Sequence, residues 1–244
     1  MVSYDNALLP MVPHHGDEKM FGWKMTIQHH HRSTETTGAF DGGRSQLTHG
    51  LMAGTNVASN LGWRAIDALA VGDKVLTFDN GMKEITEIRR VSMWIDAADT
   101  EEALWPVIVP AEVLGNRDEL VLLGDQGVLV ESDAVSDAHG DPFAVIPACA
   151  LVGVRGIHRR QPQQHVELIA VHFEKEQIIY AEGGALLHCP RDMSTLDKFL
   201  DQPDSAYDVL SIKDAAFLAE CLVVEDQITT TGGWTDARSA VMAC

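Results

Sequence analysis

An all-β fold is the expectation for this chain, and three observations carry it. Between Gly50 and about Gly183, short apolar runs recur between glycine, proline, Asn and Asp turn signals. In "GLMAGTNVASNLGWRAIDALAVGDKVLTFD" a Gly-Thr, a Gly-Trp-Arg and a Gly-Asp stand at steady intervals, each followed by a short apolar run. The one segment of helical character in this stretch, "RAIDALA", is too short to stand alone and reads as a single turn on a sheet.

The elements follow in order. Residues 1–48 are polar, rich in His, Thr and Gly, and read as a loosely ordered arm. "KVLTF" reads as a strand ending at Asp79-Asn80-Gly81, where Asn and Gly tolerate positive φ. "KEITEIRRVSMWI" is long enough to bend between two sheets. "WPVIVPAEVL" carries Pro106 and Pro110, which cannot donate to a ladder, so it is placed at an edge or corner.

Two apolar runs then flank Gly124 to Gly127 and read as a hairpin; two more flank Glu174-Lys175-Glu176 and read as a second. In "HVELIAVHF", Glu167, Ile169, Val171 and Phe173 share one face, and Val166, Leu168, Ala170 and His172 the other. Both faces are largely apolar, as expected of a strand between two layers.

After Pro190 the pattern turns helical. Ser194 with Asp197, and Ser211 with Asp214, fit the start of a capped helix. In the second segment Ile212, Ala215, Ala216, Ala219 and Val223 are expected on one face. Gly232-Gly233 ends regular structure. The organisation expected is an arm (1–48), a β domain (49–190) and a small helical extension (191–244).

Composition narrows the function. The chain has 244 residues, 45% of them hydrophobic, enough to bury a full core. Thirty-six acidic residues against 18 basic give a net charge of −18. That surface repels phosphate backbones and anionic lipid, so neither nucleic acid nor membrane is expected as a partner. Cys149, Cys189, Cys221 and Cys244 form no C-x-x-C pair and lack metal-finger spacing, which fits reduced thiols. No secretory signal and no run of about 20 apolar residues is visible. A cytoplasmic protein is expected, with export by a route that needs no signal left open.

"GTNVASNLGWRAIDALAVGDKVLTFDNG" resembles the start of the Hint domain, the module shared by Hedgehog autoprocessing domains and inteins, and is most similar to its bacterial branch. "LVLLGDQGVLV", "VIPACALV" and "VELIAVHFEKEQIIYAEG" follow in matching order, so the resemblance spans Gly50 to Pro190. It implies a flattened, horseshoe-shaped all-β fold whose first and last strands meet at the chemistry. In active members a leading Cys or Ser attacks the preceding carbonyl, and a histidine in a T-x-x-H motif protonates the departing nitrogen.

Carried over by position, the nucleophile falls on Gly50 and the motif on Leu123 to Gln126, with Gln126 where the histidine stands. Glycine cannot attack, and an amide is neither acid nor base near pH 7. No Asn sits between His188 and Cys189, so splicing by Asn cyclisation is not supported. The resemblance therefore implies a Hint protein without self-cleavage, acting as a scaffold or interaction module for a protein partner. One alternative is autoprocessing by a displaced nucleophile, Cys189, with His188 or His49 as base; a second is a metal-binding protein.

The remaining candidates carry structural readings. His172 reads as a core or half-exposed histidine, Asp73 as a turn-fixing carboxylate, and Trp63, Trp94 and Trp105 as core packing. His29-His30-His31 and the loop with Asp133, Asp137, His139 and Asp141 invite a metal reading, but a solvated arm and a solvated acidic loop explain them. No cofactor or resident metal is expected.

Overall fold

The apolar runs form strands, and the residues between them decide where the chain changes sheets. The computed structural model describes residues 35–39, 48–94, 97–132, 134, 142–163, 165–191 and 207–230. One sheet has seven strands, in the order β1 (Glu35–Ala39), β7 (Glu87–Met93), β13 (Val166–His172), β2 (Leu51–Met52), β9 (Leu120–Leu122), β8 (Val107–Val109) and β12 (His158–Arg159). The second has eight. Its order is β11 (Phe143–Pro147), β10 (Gly127–Glu131), β15 (Ala185–Cys189), β14 (Gln177–Ala181), β3 (Asn56–Ser59), β5 (Lys74–Thr77) and β6 (Gly81–Glu84), with β4 (Gly62–Ala65) beside β3. Strand pairs are antiparallel except β1 with β7.

The chain passes between the sheets at particular side chains. "KEITEIRRVSM" bends as expected: β6 lies in the second sheet, β7 in the first, and Ile85-Thr86 is the corner. Ile85 is fully buried there, and the Thr86 N–H and hydroxyl both donate to the carbonyl of His172, fastening the corner to β13. The Asp79-Asn80-Gly81 turn and the one-turn helix at Ile66–Ala68 are also present, and the Asp73 carboxylate accepts the Ala70 N–H at 2.9 Å.

Both expected hairpins are corrected. β9 pairs with β2 and β8, while β10 pairs with β11 and β15, so Leu123 to Gln126 is a corner from one sheet to the other. Likewise β13 and β14 lie in different sheets, and the hairpin is β14 with β15. The physical reason is that all four runs are apolar on both faces, so pairing across the intervening turn has no advantage over continuing into the opposite layer. β8 is corrected too: it lies between β9 and the two-residue β12, with Pro106 and Pro110 just outside its ends where no ladder donor is needed.

The core lies between the sheets. Ile169 and Val171 of β13, with Phe173 beyond it, meet Val57, Val75, Val128 and Leu187 from the other sheet. Leu168, on the opposite face of β13, packs with Met52, Trp94 and Leu123. Burying each such side chain is worth about 1.5–3 kcal/mol. Trp94 is core as expected. Trp105 is half-buried, its indole N–H donating to the Thr100 carbonyl, and Trp63 is a correction, 43% exposed on β4.

A helix, α1 (Ile212–Thr230), closes the described chain. Ser211 caps it, its hydroxyl oxygen accepting the Asp214 N–H at 3.2 Å and donating to the Asp214 carboxylate at 2.6 Å. The buried face differs from the expected one. Ala215, Leu218, Ala219 and Leu222 enter the core, whereas Ile212, Ala216 and Val223 are exposed. The helix carries apolar residues all round, so spacing alone could not choose its inner face. Within the expected arm, Glu35–Ala39 is a strand added to β7; the rest of the arm, the Ser194 helix and the Gly232-Gly233 break lie outside the described residues. Among the described residues no helix is long and apolar enough to cross a membrane.

One contact tests this packing. A Cβ on Gly184, in the β14–β15 turn, would lie 2.6 Å from the backbone oxygen of Gly115. Gly184→Ala is therefore expected to cost about 1–3 kcal/mol in urea unfolding; an unchanged midpoint would show that the two turns part freely.

Candidate functional site

The sheet-to-sheet corner after β9 places Gln126 between the start of β2 and the end of β15. Its side chain is 1% exposed. The Gly50 N–H donates to Gln126 Oε1 at 2.8 Å. Gln126 Nε2 donates to the carbonyls of His188, at 2.8 Å, and Gly127, at 2.9 Å. One carboxamide thus joins the first strand of the domain in one sheet to the last strand in the other. Residues 76 apart in sequence are thereby brought together.

Gly50 is required here by its surroundings. Its φ is +142°, a region that L side chains rarely adopt. A Cβ at this position would lie 3.0 Å from Leu168 Cγ and 3.2 Å from the Ile169 carbonyl oxygen. Leu168 fills the space that a side chain on residue 50 would enter. Next to it, the half-buried ring of His49 packs edge-on against His172, with centroids 5.2 Å apart. His172 is 2% exposed, a core histidine as expected.

His188 and Cys189 point to opposite sides of β15. The His188 ring pairs with Glu176, Nε2 to Oε2 at 3.3 Å, and stands edge-on to Tyr207 at 5.9 Å. Burial lowers its pKa, and the Glu176 carboxylate partly offsets this. Gly127 makes room for it: a Cβ there would lie 2.9 Å from His188 Cβ. Tyr207 donates its hydroxyl to the Asp79 carboxylate, and burial, then Asp79, push its pKa up. Cys189 faces the central core, where desolvation pushes its thiol up to about 12. A thiol held there is protonated near neutral pH and is a poor nucleophile.

Chemically the arrangement is suited to hold a peptide bond. Oε1 is an acceptor, so it can fix the Gly50 N–H but cannot protonate that nitrogen. The two Nε2 protons are already committed to carbonyls. Glu176, Tyr207 and Leu168 escaped the reading of the sequence, because Leu168 looks like any core leucine and nothing local ties Tyr207 to β15. His29 to His31 and Asp133, Asp137, His139 and Asp141 lie outside the described residues. Among the described residues no three metal-donor side chains gather.

Residues 49–186 match the model of the Hint domain. The chain belongs to the Hint-domain family. The match begins at the residue before Gly50 and closes inside β15, so it contains both Gly50 and Gln126. No curated protein matches the chain. Among solved structures, a splice-inactive variant of the AceL NrdHF class 3 split intein is 15% identical, covering 59% of this chain and 99% of that one at a TM-score of 0.38. The bacterial intein-like domain from Clostridium thermocellum is 12% identical, covering 57% and 98% at 0.38. The gp41-1 intein is 16% identical, covering 57% and 97% at 0.35.

Two outcomes are expected of this Hint domain. Gln126→Met keeps the length of the side chain but removes its hydrogen bonds to the Gly50 N–H and to the Gly127 and His188 carbonyls. Losing these three buried bonds should cost about 2–5 kcal/mol in urea unfolding; a loss below about 0.5 kcal/mol would mean the clamp is not structural. For Cys189, the folded pKa is raised above its usual 9.0, so its contribution is complete below pH 9.0 and is lost as pH rises towards about 12. Unfolding midpoints should fall through that window, and Cys189→Ala should remove the part that begins near pH 9.0.

Proposed function

We propose that this Hint domain neither cleaves nor splices its own chain and serves as a scaffold or interaction module for a protein partner. In this reading Gly50 occupies the family's nucleophile position and Gln126 the position of the proton-donating histidine. The observation that carries it is the 2.8 Å hydrogen bond from the Gly50 N–H to Gln126 Oε1. The two positions are in contact, as the chemistry would need, yet one has no side chain and the other no acidic proton.

An acyl shift needs an attacking sulfur or oxygen and a proton for the departing nitrogen. Removing either would slow it; this site offers neither. The backbone at Gly50 supports the same reading, because its φ of +142° strains an L side chain, and Leu168 and the Ile169 carbonyl crowd the position of its Cβ. Cys189, the candidate for a displaced nucleophile, is buried in the core with its pKa raised, and the His188 ring is engaged with Glu176 and Tyr207. Nothing in this arrangement favours the autoprocessing alternative.

Intact mass measurement of the purified chain tests the proposal. A single species of full-length mass is expected, unchanged after a day with added thiol or hydroxylamine. Fragments broken at the His49–Gly50 bond, or a hydroxamate trapped there, would establish autoprocessing instead.

A further inference from the structure

Five of the eleven large apolar side chains that stand exposed among the described residues lie on α1. Phe217 is 66% exposed, Val224 53% and Ile228 44%, and with the partly exposed Cys221 they follow at steps of four, three and four residues. This is the spacing of a coiled-coil seam. Phe217, Val224 and Ile228 lie on the side of the helix away from Ala215, Leu218, Ala219 and Leu222, which are in the core, while Cys221 between them also packs against it.

The orientation of the helix is fixed independently of this stripe. Glu225 accepts the Ser132 hydroxyl at 2.8 Å, and Asp226 forms a two-pronged pair with Arg155 at 2.6 Å. Arg155 holds the Asp226 carboxyl below its usual pKa. These tethers and the buried face leave Phe217, Val224 and Ile228 outward.

We propose that this stripe docks a basic amphipathic helix of a partner protein. Helical spacing points to a helical occupant, and charge selects its kind. The described helix carries Asp214, Glu220 and Glu225 against Lys213, besides the Asp226 that Arg155 neutralises. Glu220 and Glu225 flank the seam by spacing, and Glu225 keeps its negative charge because its partner, the Ser132 hydroxyl, is neutral. A second copy would set these carboxylates against their equivalents and bring together two chains each of net charge −18. A partner helix with Lys or Arg beside its apolar seam meets the same surface with attraction on both counts. The inference rests on the interaction-module reading and names its partner class.

The test uses the full chain and a synthetic peptide of about three heptads, with leucine at a and d and lysine at e and g, followed by fluorescence anisotropy. Binding in the micromolar range is expected. It should be about tenfold weaker for the same peptide with glutamate at e and g. It should weaken by about tenfold or more in the double variant Phe217→Ser, Val224→Ser, whose unfolding midpoint should be unchanged because both residues are exposed. Equal binding of the two peptides, or undiminished binding to the double variant, would overturn the proposal. A wild-type chain that sediments as a dimer and a serine variant that sediments as a monomer would also overturn it, assigning the stripe to a second copy. Intact mass recorded on the same samples keeps the two readings apart, since a peptide that fails to bind an unshortened chain counts against the docking surface alone.

Discussion

The Gln126 carboxamide is the point on which the site depends. It reaches three backbone groups, one on the strand that opens the domain, one on the strand that closes it and one on its own neighbour. All are buried, so each is costly to leave without a partner. The surrounding residues fit this arrangement together. Gly50 lacks the side chain that Leu168 would exclude, and Gly127 lacks the Cβ that the His188 ring would exclude.

In the proposed reading this site holds a peptide bond instead of breaking it. Where a proton would be delivered to a departing nitrogen, Gln126 presents a hydrogen-bond acceptor to the Gly50 amide. The sulfur nearest in sequence to the end of β15 is turned into the core, where the loss of water suppresses its thiolate. His188, one residue earlier, faces the other way towards Glu176 and Tyr207. Alternation along a strand separates the two groups that a displaced mechanism would need together.

What could be read from the residues alone follows from where their chemistry is local. The turn at Asp79-Asn80-Gly81 and the Ser211 cap depend on side chains acting on nearby backbone, and both were legible. The bend at Ile85-Thr86 was legible from the length of its run, although the contact that fastens it, to His172, is distant in sequence. The meeting of the first and last strands was legible through the family resemblance, whereas the hydrogen bond from Gly50 to Gln126 at their junction was not. The false hairpins were not, because β9, β10, β13 and β14 are apolar on both faces and alternation cannot assign a neighbour. The inner face of α1 was illegible for a related reason: Ile212 and Val223 are as apolar as Leu218 and Leu222, and only the groove beneath the helix distinguishes them. The exclusion of a side chain at residue 50 by Leu168 is a tertiary contact with no trace in local sequence.

The account makes the Gly50 amide a structural proton, held inside the protein by Gln126. Amide hydrogen exchange resolved at Gly50 by NMR measures this directly. Exchange is expected only through global unfolding, as slow as that of the central β13 amides, with the protection at Gly50 lost in Gln126→Met. Exchange of Gly50 as fast as that of an exposed turn would contradict it.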